Sequence, residues 1–323
     1  DIRVLLPAYP ALKTAFPETE LVASLPALAP GLPACRLLSA KASGLPLLLL
    51  DCPELFDRPG NPYLDASGQD WPDNAIRFGL LSRVAARLGQ SDSPLDWAVD
   101  VVHANDWQAA LAPAFLHYQG GAASVVTVHN IAFQGCFGRE MLAALGLPEH
   151  AWRFDGVEYH DQLSFLKSGL QLCSQISTVS PTYAREIQDE HFGYGLAPLL
   201  RHRSAALRGI LNGVDTGIWN PATDPALPFA YAANRLAAKR ANKTALQTEM
   251  GLDVTADRPL FGVISRLTHQ KGLDLLLTIA DGLPDLPAQL VVLGSGDKAM
   301  EAGFAELAAA VAAVEDTGAW IMT

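Results

Sequence analysis

The stretch Ser265-Arg266-Leu267-Thr268-His269-Gln270-Lys271-Gly272 sets two cations five residues apart, directly after the apolar run Leu260–Ile264. On a loop leading from a strand into a helix, Arg266 and Lys271 can converge on one anion. The helix N-terminus would add amide donors and a dipole that favours phosphate. A solvated basic turn has the same spacing, but open α/β sheets bind ligands at the carboxyl ends of their strands, where this loop stands. A second turn, Gly294-Ser295-Gly296-Asp297-Lys298-Ala299, follows the run Gln289–Leu293. It matches a dinucleotide fingerprint, which suggests an oxidoreductase, yet it follows the second strand of its unit where that fingerprint belongs after the first. Gly294 and Gly296 fit better as points where backbone approaches a nucleotide or sugar. A plain strand-to-helix turn is the alternative.

Earlier in the chain, Val101-Val102-His103-Ala104-Asn105-Asp106-Trp107-Gln108 places polar groups where a strand ends and a helix begins. Thr127-Val128-His129-Asn130 ends the next strand in the same way. Singly, Asp106 reads as a helix cap and His129 as a satisfied core histidine. Together they predict a polar pocket on one rim of a sheet, facing the basic loop. Tyr63, after Pro59-Gly60-Asn61-Pro62, can stack on a sugar or pack in a surface loop. No D-x-D pair occurs, so a carboxylate-held Mg²⁺ is not indicated and no metal is expected. Walker A and G-x-S-x-G sequences are missing too, as is the close acid pair of a retaining hydrolase.

These residues need strands and helices to carry them. Short apolar runs at Ile2–Leu6, Leu47–Leu50, Val99–His103, Ser124–Val128, Ile176–Val179, Gly209–Leu211, Leu260–Ile264 and Gln289–Leu293 read as strands. Most are continuous rather than alternating, as parallel strands covered on both faces are. Helical patterns lie at Asp73–Leu88, Ala109–Tyr118, Thr182–Ile187, Arg235–Met250, Leu273–Ala280 and Ala299–Val314. The alternation predicts an α/β fold of βαβ units. Asn-Gly, Asn-Pro, Asp-Pro and Leu-Pro steps punctuate Asn212–Pro228, which sets a domain boundary there: 1–212, then 213–323. Only two strands fall in the second domain, which would leave its sheet edges bare.

The whole chain, 323 residues with 23 basic and 34 acidic side chains, carries a formal charge of −11. That balance argues against nucleic acid or anionic membranes as partners, so an anionic ligand needs a local basic site. Half the residues are apolar, enough to bury cores and exclude disorder. Cys35, Cys52, Cys136 and Cys173 show no zinc or disulfide spacing and read as buried thiols of a reducing cytoplasm. There is no bilayer-length apolar run. The chain opens on Asp1 with no initiator Met or signal peptide and reads as a fragment or processed product.

Taken in order, these motifs resemble bacterial glycogen synthases and plant starch synthases, retaining glucosyltransferases that use ADP-glucose. The resemblance rests on Leu55 to Tyr63, Asp73-Asn74, Val101 to Trp107, Thr127 to Asn130 and Phe165-Leu166-Lys167. It continues through Thr178 to Ile187, Leu211 to Asp215, Ser265 to Gly272 and Gly294 to Asp297. It implies a GT-B arrangement, two Rossmann-like domains facing a cleft, with an acceptor-side first domain and an incomplete nucleotide-sugar domain. By resemblance, Arg266 and Lys271 would hold the donor diphosphate, and Asp106 and His129 would line the donor glucose. Asn130 and Asn212 would contact sugar or nucleotide, and Tyr63 would stand near the sugar pocket. The expected partners are ADP-glucose and an α-1,4-glucan, with no cofactor. The family's Lys-Thr-Gly-Gly-Leu loop lies upstream of Asp1, and its later Glu-containing and Thr-Gly-Gly loops lie beyond Thr323. The expectation is therefore a truncated copy with half a donor site: the parent protein transfers glucose and the fragment alone is inactive, with a non-catalytic glycan-binding fragment as the alternative.

Overall fold

Contacts divide the chain into two units, Asp1–Asn212 and Gly213–Thr323. The computed structural model describes residues 1–42, 44–65, 67–279, 282, 287–312 and 319–322. In the first unit, β1 (Val4–Pro7), β2 (Glu20–Leu25), β3 (Cys35–Ala42) and β4 (Leu45–Asp51) form a sheet of order β1-β4-β3-β2. The run Leu47–Leu50 is buried because β4 is central, parallel to β1 and antiparallel to β3. The sequence reading of parallel strands needs correction here, since β2 and β3 are antiparallel additions. In β3, Cys35, Leu37 and Ala40 are buried while Arg36 and Lys41 are exposed, the mixed pattern of a strand with one wetter face.

The second sheet is parallel throughout, with order β11-β10-β6-β5 from β5 (Val101–Asn105), β6 (Ala123–Val128), β10 (Gln175–Thr178) and β11 (Leu207–Gly209). Its crossovers include α2 (Asp106–Ala109), α3 (Ala112–Gln119), α4 (Phe165–Leu172) and α5 (Pro181–Glu186). Before them, α1 (Asn74–Leu88) buries Phe78, Leu80, Leu81, Val84 and Ala86 in the main core. A small antiparallel sheet, β7 (Cys136–Phe137), β8 (Glu158–Tyr159) and β9 (Gln162–Ser164), has order β7-β9-β8. It leads into α4, whose Ser164 cap accepts the Lys167 N–H at 3.2 Å. Lys167 is buried. Its ammonium donates to the carbonyls of Phe154 and, at 2.8 Å, Gly156. Burial pushes its pKa down to about 8, against smaller raising effects of Glu158 and Asp155.

From Ile210 to Arg235 neither helix nor strand forms. Asp215, Asn220 and Asp224 instead accept backbone N–H groups two or three residues on, the turn chemistry their types favour. The second unit then builds α6 (Lys239–Glu249), β12 (Leu260–Ile264), α7 (Leu273–Thr278), β13 (Gln289–Leu293), α8 (Lys298–Ala312) and β14 (Ala319–Met322). The three strands run parallel in the order β12-β13-β14. The two-strand reading is corrected: β14 pairs with β13, leaving β12 as an edge with Phe261 and Ile264 exposed. Its core joins Leu267, Leu290, Val292, Met300 and Phe304. The expected helix ends at Ala280, Ala313 and Val314 lie outside the described residues.

All four cysteines are free. Three are buried as expected, and burial pushes Cys35 up to about 12 and Cys173 to about 11. Cys136 is only half-buried. Among the described residues no helix is long and apolar enough to cross a membrane, and no cluster of ligating side chains could hold a metal ion.

Candidate functional site

Parallel pairing of β5 with β6 sets Asn105 opposite Thr127, so Asp106 and His129 follow the strands at the same rim. Asp106 Oδ1 accepts the His129 backbone N–H at 2.7 Å. His129 Nε2 lies 3.1 Å from Asn105 Oδ1, and since that oxygen can only accept, the ring donates there. This interaction fixes the ring's orientation and tautomer. Neither bland reading holds: Asn105, not Asp106, sits at the cap position of α2, with no side-chain cap bond, and His129 is exposed rather than in the core.

Asp106 adopts φ 53°, a left-handed backbone that costs a non-glycine residue about 1–2 kcal/mol. The packing beneath it offsets that strain. Trp107 packs on Phe78 with centroids 4.9 Å apart and also touches Phe137 and Phe165. Gly135, at φ 58°, lies so close that a Cβ there would stand 2.2 Å from the Trp107 ring.

A line of polar side chains crosses the same sheet. His103 Nε2 meets Thr127 Oγ1 at 2.6 Å, Thr127 meets Ser177 Oγ at 2.5 Å, and Thr178 Oγ1 donates to the Val128 carbonyl at 2.7 Å. Burial, then the neighbouring His129, pushes the His103 pKa down. Beyond β6, Asn130 Oδ1 accepts the Ala132 N–H at 3.1 Å, and the Tyr183 hydroxyl accepts the Ile131 N–H at 3.1 Å. The loop carrying His129 and Asn130 is thereby tied to α5.

Tyr63 is half-exposed, its ring 6.2 Å from Phe78, which in turn meets Trp107. An aromatic contact path thus links Tyr63 to the residue beside Asp106. Its loop is held from α1: Asn74 Nδ2 donates to the Tyr63 carbonyl at 3.1 Å, and Arg77 donates to Pro62 and Leu55 carbonyls at 2.9 Å each. Arg77 is buried between the faces of Phe56, Trp71 and Phe78, with no ion pair to a carboxylate among the described residues. Asn212 is exposed at the end of the first unit, beyond β11.

In the second unit, the loops after β12 and β13 lie side by side. Ser265 N–H donates to the Leu293 carbonyl at 3.1 Å, Leu267 N–H to Ser295 at 3.0 Å, and Asp297 N–H to Leu267 at 2.8 Å. Gly294 and Gly296 serve this zipper: a Cβ would stand 1.9 Å from the Ser265 carbonyl oxygen in one case and 2.4 Å from that of Leu267 in the other. The space beside these glycines is filled by backbone, and the Gly296 N–H donates to Glu301 at 2.8 Å. That removes the steric basis of the dinucleotide reading.

Between the zipped backbone and α7, Arg266 and Lys271 are exposed and form no ion pair or side-chain hydrogen bond among the described residues. Gly272 is left-handed at φ 70° and caps a six-residue helix. So short a helix contributes little dipole; the two side-chain charges dominate any pull on an anion.

The structure thus gathers Asp106, His129, Asn130 and Tyr63 in the first unit, and Arg266, Lys271, Gly294 and Gly296 in the second. Asn105, Arg77 and Tyr183 were missed as positioning residues. For Arg77 a signal existed: with Asn74 it puts polar groups one turn apart on the apolar face of a helix. Asn105 and Tyr183 act through tertiary contacts that no spacing announces.

A family model described as the starch synthase catalytic domain matches residues 1–202. A glycogen synthase of Dechloromonas aromatica (strain RCB) is 86% identical over 308 residues, 95% of this chain and 64% of that protein. One from Nitrosomonas europaea is 52% identical over 308 residues, 93% of this chain and 62% of its own length. Among solved structures, the catalytic domain of starch synthase IV from Arabidopsis thaliana, bound to ADP and acarbose, superposes with a TM-score of 0.80. It is 28% identical and covers 99% of this chain and 67% of that one. The chain therefore spans somewhat under two thirds of the curated relatives it matches. Its α/β architecture is of the GT-B type. With the family model covering most of its length, the chain belongs to the starch synthase catalytic-domain family.

Proposed function

We propose that this protein acts in glycogen synthesis, moving glucose from ADP-glucose to the non-reducing end of an α-1,4-glucan with retention, in the cytoplasm and without a metal or cofactor. The first unit supplies the sugar contacts. Asp106 and His129 take the hydroxyls of the transferred glucose, Asn130 adds a polar contact, and Tyr63 borders them. The second unit supplies the diphosphate contacts, Arg266 and Lys271. Gly294 and Gly296 act by letting the two loops lie together, and Asn212 contacts sugar or nucleotide.

In the reaction, the bond from the anomeric carbon to the β-phosphate oxygen breaks and its electron pair leaves with ADP. Positive charge grows on the sugar and negative charge on the departing phosphate. Fixed cations at the phosphate stabilise that separation more than they stabilise the ground state, which is the condition for acceleration. The glucan 4-hydroxyl attacks the same face, and its proton passes to the leaving phosphate oxygen. No second carboxylate is required.

The observation that carries this reading is the pair of exposed cations, without an ion pair among the described residues, on a hydrogen-bonded loop zipper at the carboxyl ends of β12 and β13. The names of the relatives and the ADP in the Arabidopsis structure support it. The test is ADP release by the full-length protein, of which this chain is part, supplied with ADP-glucose and glycogen. No ADP above a glycogen-free control overturns the reading; glycogen binding without ADP release leaves a glycan-binding protein in its place.

A further inference from the structure

Tyr194 has φ 47°, a left-handed conformation unusual for a bulky side chain. Two flanking glycines clamp it there. A Cβ on Gly193 would stand 2.6 Å from Ala197 Cβ and 2.8 Å from the Ile187 carbonyl oxygen; one on Gly195, itself at φ 83°, would stand 2.3 Å from the Tyr159 hydroxyl. Gln134 Nε2 donates to the Tyr194 carbonyl at 2.8 Å. The strain is not offset by burying the ring, which is 55% exposed. Backbone strain that persists while the side chain stays in solvent points to a use for that side chain.

The position of the ring narrows that use. Gln134 belongs to the loop that begins at His129, and Phe133 on the same loop is also 55% exposed. Tyr183, which accepts the Ile131 N–H, lies near both Tyr194 and Asp106. Burial raises its pKa, the Ile131 N–H lowers it, and Tyr194 and Asp106 each raise it further. Two exposed aromatic residues therefore stand on the loop that follows His129 and on the turn hydrogen-bonded to it through Gln134.

We propose that Tyr194, with Phe133, forms an aromatic ledge that stacks on the sugar rings of the acceptor glucan, an inference resting on the glucosyl-transfer reading. Gln134, Tyr159 and Tyr183, the side chains tied to this turn, and Phe133 on the loop bonded to it carry no positive charge. The ledge therefore suits a neutral ligand with an apolar C–H face better than a phosphate-bearing one. Its phenol also offers a hydrogen bond at the edge of the stack.

The test compares Tyr194→Gly and Tyr194→Phe with the parent by calorimetry against maltoheptaose and, separately, ADP, alongside thermal unfolding. Tyr194→Gly should weaken maltoheptaose binding about tenfold, the scale of one lost aromatic contact, and leave ADP binding unchanged. Its melting temperature should hold or rise, since glycine relieves the backbone. Tyr194→Phe should bind maltoheptaose within about threefold of the parent, because it keeps the ring. Unchanged maltoheptaose affinity in Tyr194→Gly overturns the ledge while ADP binding keeps the transfer reading intact. Loss of glucan affinity together with a fallen melting temperature, not rescued by phenylalanine, shows a structural role and also overturns it. A parent that binds neither ligand overturns the transfer reading itself.

Discussion

The two groups of candidate residues are built on opposite plans. In the first unit almost every polar group at the rim is already engaged: Asp106 with His129, His129 with Asn105, His103 with Thr127, Thr127 with Ser177. In the second unit the loops are joined through their backbone, while Arg266 and Lys271 are exposed and form no ion pair among the described residues. Hydroxyls of a neutral sugar are recognised by direction, so their partners gain from being fixed beforehand. A diphosphate is recognised by charge, and two flexible cations on a firm loop can close on it. The first plan ties function to stability, and the second separates them.

Removing the cations gives the largest effect and the sharpest test of that separation. Arg266→Ala with Lys271→Ala should lower kcat/KM for ADP-glucose by about a thousandfold, the combined scale of lost charge-assisted contacts to a leaving group. The melting temperature should stay put, because neither side chain bonds to another group among the described residues. A fall in stability matching the fall in activity would erase the contrast.

Asp106→Ala should do both kinds of damage. It removes an exposed hydrogen bond to the His129 N–H, a loss of about 1 kcal/mol. Activity should fall about a hundredfold as the histidine loses its fixed position. Calorimetry and ADP release on the same preparation check the pair of outcomes. Full stability with lost activity would move Asp106 into the class of the unpaired cations.

Much of this was legible in the sequence, and the omissions have physical causes. Leu260–Ile264 and Gln289–Leu293 are strands at the expected bounds because continuous apolar runs suit parallel strands. Asp106 and His129 stand on one rim because parallel strands bring their carboxyl ends together. By contrast β2 and β3, with their alternation and neighbouring prolines, gave no continuous run. The glycines of Gly294-Ser295-Gly296 were visible, but not that backbone rather than ligand fills the space beside them. Nor could spacing show that Asp106 and Tyr194 take left-handed backbones, since that strain is imposed by Trp107, Gly135 and the Gly193–Gly195 clamp.

Lys167 sharpens the comparison from inside the first unit, as a cation given wholly to structure. Lys167→Met strips the Phe154 and Gly156 carbonyls of their donor and should destabilise the protein by about 1–3 kcal/mol. The lysine also leaves a pH signature of definite sign. Its pKa is near 10.5 when unfolded and about 8 when folded, so between those values the unfolded chain holds a proton the folded chain has released. Stability from this group therefore rises with pH across that window. Urea unfolding at either end of the window should show the rise in the parent and its loss in the methionine variant. A rise of equal size in both would assign it to another group.

Salt gives the smallest effect and bears on both units at once. Contacts between exposed cations and a diphosphate weaken as the screening length shrinks from about 10 Å at 0.1 M to about 3 Å at 1 M. The formal charge of −11 works the other way, repelling ADP at long range, and that repulsion is screened as well. The close pair should prevail, since it acts at contact distance while the remaining charge is spread over the surface. ADP affinity should then fall severalfold between 0.05 and 0.5 M salt, and maltoheptaose affinity should stay flat. In the Arg266→Ala, Lys271→Ala variant the residual ADP affinity should lose that fall or rise slightly with salt, as the repulsion alone remains. Equal salt dependence for both ligands would mean that the two regions do not divide charge recognition from hydroxyl recognition.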